Sequence, residues 1–375
     1  MSTFTPDDRG SVEAVRNLFG SARRFMTELV MEKVRKPGEL VHEARYTARQ
    51  VRAGEVHWLR PARTLLYTTG ATLMVLLLLF PIYWVLMSAL SGTGGGLYAA
   101  SGFHLLPQEF SLQPFIWVFG DLILPSYKIV ASIPLTGLNL VFTTPELTVL
   151  DASAHGVENP SQFKSFLWNS VTVAIPTVLI SLSIIVPASY ALSRREFLLR
   201  GKLLYGYVLF TQVGGGLGIA GLIALYAIFV QVGLNDNKLA LAVYYAATAV
   251  PFNTWLLKTY MDGIPVSYEE AAVVDGAPPW RVVAEVILPM SAAGLATVTI
   301  FTFLTGWMEF LVAQTLLSTE NYTLPVGLFS LVGEYSIPWA RFSAFALSFA
   351  TPVMLVYLFT QRYIEGGLSF GGMEG

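Results

Sequence analysis

The stretch Pro265-Val-Ser-Tyr-Glu-Glu-Ala-Ala-Val-Val-Asp-Gly-Ala-Pro-Pro-Trp-Arg-Val-Val-Ala-Glu-Val-Ile-Leu-Pro289 lies between two long apolar segments and is punctuated like a helical hairpin. Ser267 stands where an N-cap is expected, and Glu270, three residues on, completes a capping box. Glu269 and Glu270 suit the positive end of a helix dipole. Ala271 and Ala272 keep one face thin. Asp275-Gly276 ends the first helix, with Gly276 as its left-handed cap. Pro278 or Pro279 fits the first turn of a second helix, and Pro289 breaks that helix at its far end. A plain connector between two spans needs only a few residues. The length and punctuation of this one favour a compact docking knob.

The flanking sequence sets the knob on a membrane protein. The chain has 375 residues, of which 54% are hydrophobic and 13% charged, with a net charge of -2; its mean hydropathy is +0.57. A soluble domain carries about 25% charged residues, so the deficit points to a bilayer. Near-neutrality excludes nucleic acid as an electrostatic partner. The absence of cysteine excludes disulfides, Cys-based zinc or iron–sulfur centres and thiol catalysis. His42, His57, His104 and His155 are scattered without metal-ligand spacing.

Segments free of Asp, Glu, Lys and Arg run over 64–108, 165–193, 203–235, 239–257, 286–308 and 342–361. A span needs roughly 20 apolar residues, so the sequence predicts an all-α polytopic protein with about six transmembrane helices. The expected spans are 63–90, 165–193, 203–232, 239–257, 290–312 and 342–361, the last five forming a transmembrane core over 164–361. Of the 23 Lys and Arg residues, all but Lys128, Lys164, Lys238 and Arg341 fall on one face. That face is expected to be cytoplasmic, which places both termini and the 259–289 loop inside a multi-pass cell-membrane protein. No leader is evident, because the first apolar stretch begins after residue 60 and is too long.

The remaining segments fill in this plan. Residues 1–62 read as a cytoplasmic extension, with Val12, Val15, Phe19, Phe25 and Leu29 at amphipathic spacing that suits an anionic lipid surface. Residues 91–163 form a large extracytoplasmic loop after the first span, rich in proline and expected to hold short strands. Gly214, Gly215, Gly216, Gly218 and Gly221 in the third span serve close helix packing or break the helix beside a path. Residues 362–375 form a glycine-rich, flexible cytoplasmic tail.

Glu270-Ala271-Ala272, then Gly276, then Val286-Ile287-Leu288-Pro289 resembles the EAA loop of binding-protein-dependent ABC importer permeases. The family pattern has Ile where this chain has Val286, a conservative departure. Leu167-Trp168-Asn169-Ser170-Val171, Trp307-Met308-Glu309-Phe310 and Tyr322-Thr323-Leu324-Pro325-Val326-Gly327 resemble the carbohydrate branch, and the tail from Gln361 resembles the maltose/maltodextrin-type permeases within it. The resemblance covers roughly residues 63–375 and implies a type I ABC importer permease fold. It further implies that Glu269, Glu270, Ala271, Ala272, Asp275, Gly276, Leu288 and Pro289 couple to a separate ATPase, with Gln361, Gly371 and Gly372 as tail contacts. The implied partners are a second permease, a dimer of ATP-binding cassette subunits and an extracytoplasmic solute-binding protein, around a sugar of the maltodextrin kind. No Walker sequence occurs in the chain. No cofactor or catalytic residue is therefore expected, with ATP and Mg held by the partner ATPase.

Four residues inside or near the spans are candidates for the translocation path: Gln212, Asn253, Trp255 and Glu309. An intramembrane carboxylate is a functional candidate, yet Glu309 near a span end reads first as a structural group. Asn253 follows Pro251, where a freed carbonyl needs a partner. Two other classes remain open. A secondary transporter needs intramembrane ionisable groups, and the spans hold almost none besides Glu309. A membrane-anchored enzyme would have to use Glu109, Asp121, Glu146, Asp151, Glu158, His104 or His155 in the outer loop, which show no catalytic spacing. An ABC permease for a non-carbohydrate solute is the closer alternative.

Overall fold

The computed structural model describes residues 59–92, 98–99, 102–103, 105–107, 109–124, 128–132, 139–143, 147–150, 152–203, 205–206, 209, 218–333 and 337–370. The amphipathic positions before residue 30, Gln212, Gly214 to Gly216, Gly371 and Gly372 lie outside them. The chain divides into two units, 1–81 and 82–375. In the first, the described residues form the start of helix α1 (Leu59–Ala89), apolar from Leu65 onward.

In the second unit α1 ends at Ala89, and a small region of paired segments follows. Strands β1 (Tyr98–Ala99) and β2 (Gly102–Phe103) pair antiparallel. After helix α2 (Gln113–Phe119), β3 (Leu122–Leu124) pairs with β6 (Leu147–Leu150), and β4 (Lys128–Ser132) pairs with β5 (Asn139–Thr143). These are the short strands expected of this loop. Apart from an isolated bridge between Ser91 and Phe110, they are the only strand pairing among the described residues.

The bundle is built from α3 (Phe163–Arg194), α4 (Gly218–Val232), α5 (Lys238–Asp262), α8 (Ala292–Met308) and α11 (Trp339–Phe370). Among the described residues, α1, α3, α5 and α11 are each long and apolar enough to cross a bilayer. A fifth crossing is α8, if it is counted with the helix that precedes it. The longest described part of the third expected span is α4, which is shorter.

Small side chains explain how α3, α5 and α8 pack so closely. On α3 the buried face carries Ser170, Thr177, Ser181 and Ser189, and on α5 it carries Ala242, Ala246 and Ala249. Small residues let backbones approach, and hydroxyls find carbonyls across the gap. The Ser189 hydroxyl donates to the Thr254 carbonyl at 3.0 Å. A Cβ on Gly306 of α8 would lie 3.0 Å from the Ala174 backbone, so this position sets the α8–α3 approach. Pro176 and Pro187 leave α3 continuous, as neighbouring helices and Ser or Thr side chains permit inside a bundle.

Several boundaries differ from the sequence expectation. The fifth expected span, 290–312, ends at Met308, and a separate short helix, α9 (Leu311–Leu316), follows. The cause is Glu309, which leaves the helix with extended φ and ψ of -67° and 131°. α5 runs on past residue 257 to Asp262, the residue that pairs with Lys258. The expected flexible tail from 362 is helical as far as Phe370. Each of Gly366 and Gly367 costs a helix only about 1 kcal/mol, which the preceding apolar turns absorb.

Candidate functional site

The hairpin over 263–291 consists of α6 (Ser267–Val274) and α7 (Pro279–Met290). α6 begins differently from the expectation. Val266, already helical at φ -63° and ψ -24°, is the N-cap, and no side chain caps the helix. Pro265 fixes the entry, and the Val266 carbonyl accepts from the Glu269 and Glu270 amides at 2.9 and 3.1 Å. Ser267 is therefore the first helical residue rather than a cap, and the capping box does not form. At the other end Gly276 has φ 82°. The Gly276 amide donates to the Val273 carbonyl and the Ala277 amide to the Ala272 carbonyl, both at 3.0 Å, the paired closure of a Schellman turn.

Pro279 occupies the first turn of α7 after an extended Pro278. The turn at Val282–Ile287 is widened to π-helical. Pro289 supplies the physical reason: its ring would clash with the Glu285 carbonyl of a regular helix and it has no N–H to offer, so the ladder widens to make room. α7 then breaks from α8 at Ser291 by 86°, where the buried Ser291 hydroxyl donates to the Ile287 carbonyl at 2.8 Å.

The hairpin is seated on the ends of α3 and α5. Ile287 of α7 joins Ile185, Val250, Leu257, Met261, Ile264 and Val298 in one buried apolar cluster. Glu269 is the single buried side chain of α6, 8% exposed. It pairs with Arg194 and accepts from the Tyr190 hydroxyl at 3.0 Å. The Arg194 Nη2 also donates to the Ile264 carbonyl at 2.7 Å, and Ser193 donates to Asp262 at 2.7 Å.

The other side of the hairpin is open. Glu270, Ala271, Asp275, Gly276 and Pro289 are exposed; Ala272 and Leu288 are half-buried. The exposed apolar residues Val266, Tyr268, Val273, Val274 (86%) and Trp280 stand among them. Arg281 stacks on Trp280 at 5.6 Å and pairs with Glu285 at 3.3 Å. Contiguous exposed apolar surface rimmed by charge marks an interaction site. Sequence reasoning named the two glutamates together and missed Val274 and Trp280, whose exposure is visible only once α6 and α7 are placed. It also missed Arg194 and Tyr190, which no local signal joins to Glu269.

The described candidate path residues have separate partners. Glu309 accepts from the Tyr245 hydroxyl and from the Val312 and Ala313 amides at 3.0 and 3.2 Å, so it caps α9 and its acceptor capacity is largely used. Asn253 is buried and donates to the Ala249 carbonyl at 2.9 Å, not to the Ala247 carbonyl that Pro251 cannot serve. Its Oδ1 has no partner among the described residues. Trp255 is exposed on α5 near Phe252. Gln361 lies on α11.

The motifs in the far loops do converge. Asn169 donates to the Glu320 and Tyr322 carbonyls at 2.9 and 3.1 Å and accepts from Lys238 at 2.9 Å. The Ser170 hydroxyl accepts from the Leu324 amide at 2.8 Å. Gly327, on α10 (Leu324–Phe329), lies so close to the Phe166 ring that a Cβ would overlap it.

A bundle of apolar spans with a seated helical hairpin at one end is the architecture of a type I ABC importer permease. The chain belongs to the family described as binding-protein-dependent transport system inner membrane component, whose model matches residues 164–369. Its relatives include the inner membrane ABC transporter permease protein YcjP of Escherichia coli K12, 28% identical over 82% of this chain and 95% of that protein. They also include the maltose/maltodextrin permease MalG of Yersinia pestis, 33% identical over 61% of this chain and 77% of MalG. A bacterial ABC transporter involved in import of the acidic polysaccharide alginate shares the fold, with a TM-score of 0.60 at 21% identity over 82% of this chain and 98% of that one. The chain is thus a multi-pass membrane permease component of the binding-protein-dependent ABC importer kind.

Proposed function

We propose that this permease carries a sugar of the maltodextrin class, or a related oligosaccharide, inward across the cell membrane. It forms the path with a second permease and receives substrate from an extracytoplasmic binding protein. The hairpin at 263–291 docks a separate ATPase subunit, which holds the ATP and Mg, and both termini lie on the same, cytoplasmic, side. The observation that carries the docking role is the open face of the hairpin. Glu270, Val274 and Trp280 project from a unit whose inner face is fixed to α3, α5 and α8. The sugar class rests on the similarity to MalG.

The test is reconstitution of the complex and measurement of ATP hydrolysis against a panel of ligand-loaded binding proteins. Stimulation by maltodextrin-loaded protein supports the assignment. Stimulation by an amino-acid-loaded protein and by no sugar overturns it. Glu270→Lys places the wrong charge on the open face and is expected to release the ATPase while leaving membrane insertion intact; normal ATPase binding and transport in this variant would contradict the docking role.

A further inference from the structure

We infer that the two adjacent glutamates of the hairpin have different tasks, and that Glu269 is a positioning residue that transmits the movement of α6 to α3. The inference rests on the docking role proposed for the hairpin and adds a route by which a push on it reaches the spans.

The geometry is specific. Glu269 is the only α6 side chain that is buried. The helix has eight residues and is bounded by Gly263 and Pro265 before it and by the left-handed Gly276 after it. Without the clasp, α6 would be a short rod with a glycine on either side, Gly263 and Gly276, resting on its neighbour α7. With it, α6 is tied at one carboxylate to Tyr190 and Arg194, both in the last turns of α3. Arg194 in turn holds the Ile264 carbonyl, so a single guanidinium grips the approach to α6 as well as its middle.

α3 continues from this clasp through the bundle to Asn169, which is bound to the loops at the opposite end. At about 1.5 Å per residue the distance between Asn169 and Arg194 along the axis is roughly 37 Å. The small-residue packing against α5 and α8 ties α3 closely to both helices. Displacement of α6 is therefore delivered to the helix with the most tightly fitted neighbours.

The chemistry of the clasp supports a geometric task. A buried ion pair is seldom better for stability than apolar residues of similar volume, because both charges are desolvated. What a charged, hydrogen-bonded pair adds is a fixed direction and distance. Glu270, one position on, is exposed and free to meet a partner.

The experiment compares Glu269→Gln, Glu270→Lys and the double variant Arg194→Met with Glu269→Leu in the reconstituted complex. Three quantities are read: ATPase subunit retained, ATP hydrolysed, and substrate moved per ATP. Loss of folded complex lowers hydrolysis and transport together and leaves their ratio unchanged, so the ratio isolates transmission. Glu269→Gln is expected to retain the ATPase subunit and to lower transport per ATP by about tenfold, a coupling change within the usual range. The double variant, whose apolar pair keeps the site filled, is expected to show the same uncoupling. A transport-to-ATP ratio within about twofold of wild type in the double variant, or release of the ATPase by Glu269→Gln as by Glu270→Lys, overturns the inference. A wild-type complex that does not bind an ATPase at all defeats the docking role instead, and is recognised before any variant is compared.

Discussion

The two ends of the bundle are secured by polar side chains in opposite ways. At the Asn169 end the bonds run mostly from side chains to backbone. Asn169 serves two carbonyls, Ser170 an amide and Glu309 two amides. The loops there are closed over one another, and Gly327 admits the Phe166 ring with no space to spare. At the hairpin end one buried ion pair holds α6, while Val274, Trp280 and Tyr268 face outward with nothing over them among the described residues. The first surface is complete alone. The second has a rigid inner face and an unfinished outer one, the form expected of a part that is gripped by another subunit.

The comparison breaks most readily at Arg194. Arg194→Ala would leave Glu269 buried without its counter-charge, a change that costs about 3–5 kcal/mol. A large fall in thermal unfolding temperature in detergent is expected, with most of it recovered in the Arg194→Met, Glu269→Leu double variant. Equal losses in both would show that the hairpin end does not depend on charge pairing. At the other end the corresponding weak point is steric. Gly327→Ala forces a methyl group into the Phe166 ring, and overpacking of this kind costs about 1–3 kcal/mol. Its helical position would otherwise favour Ala, so an unchanged or raised unfolding temperature would mean that the closed end is looser than its contacts indicate.

How far the sequence disclosed these two ends follows from the range of the forces. Gly276, Pro279 and Pro289 act on their own backbone, and the hairpin they punctuate was legible from residues 265–289 alone. The capping box was misread because Ser267 and Glu270 have the right spacing, while the chain is already at helical angles one residue earlier, at Val266. Nothing local separates Glu269 from Glu270. Their difference is made by Arg194, 75 positions away. Glu309 was legible as a structural carboxylate, but its partner Tyr245 lies on another helix. The meeting of Asn169 with Tyr322, and of Phe166 with Gly327, joins sequence stretches that only the packed bundle brings together.

A smaller effect is expected at Gly276. Its φ of 82° disfavours any residue with a Cβ, although no atom lies within 4 Å of where one would go. Gly276→Ala should therefore cost about 1–2 kcal/mol through the backbone alone. The hairpin should loosen without a change in the bundle, seen as faster amide exchange confined to 267–277. Faster exchange throughout α3 and α5 would instead join the hairpin to global stability and weaken the contrast between the ends.

The smallest effect concerns Asp236, in the turn before α5. Burial pushes its carboxyl upward, but bonds from Ser318 and Asn321 and the nearby Lys238 charge outweigh this and hold it below the ordinary value of 3.8. The Ser318 amide and hydroxyl donate to it at 2.7 and 2.8 Å. Because the folded value is depressed, the carboxylate contributes stability above the unfolded value, and that contribution is lost as pH falls through the folded one. Asp236→Asn should remove this acid-side decline by giving up the same contribution at neutrality, a small loss since the residue is partly exposed and its charge is screened. Unfolding measured from pH 3 to 7 (about the accessible range for carboxylates) tests it. If the variant and the wild type lose stability in parallel on the acid side, the turn at Asp236 is not a charge-dependent fastening, and the closed end is held by its neutral bonds and packing alone.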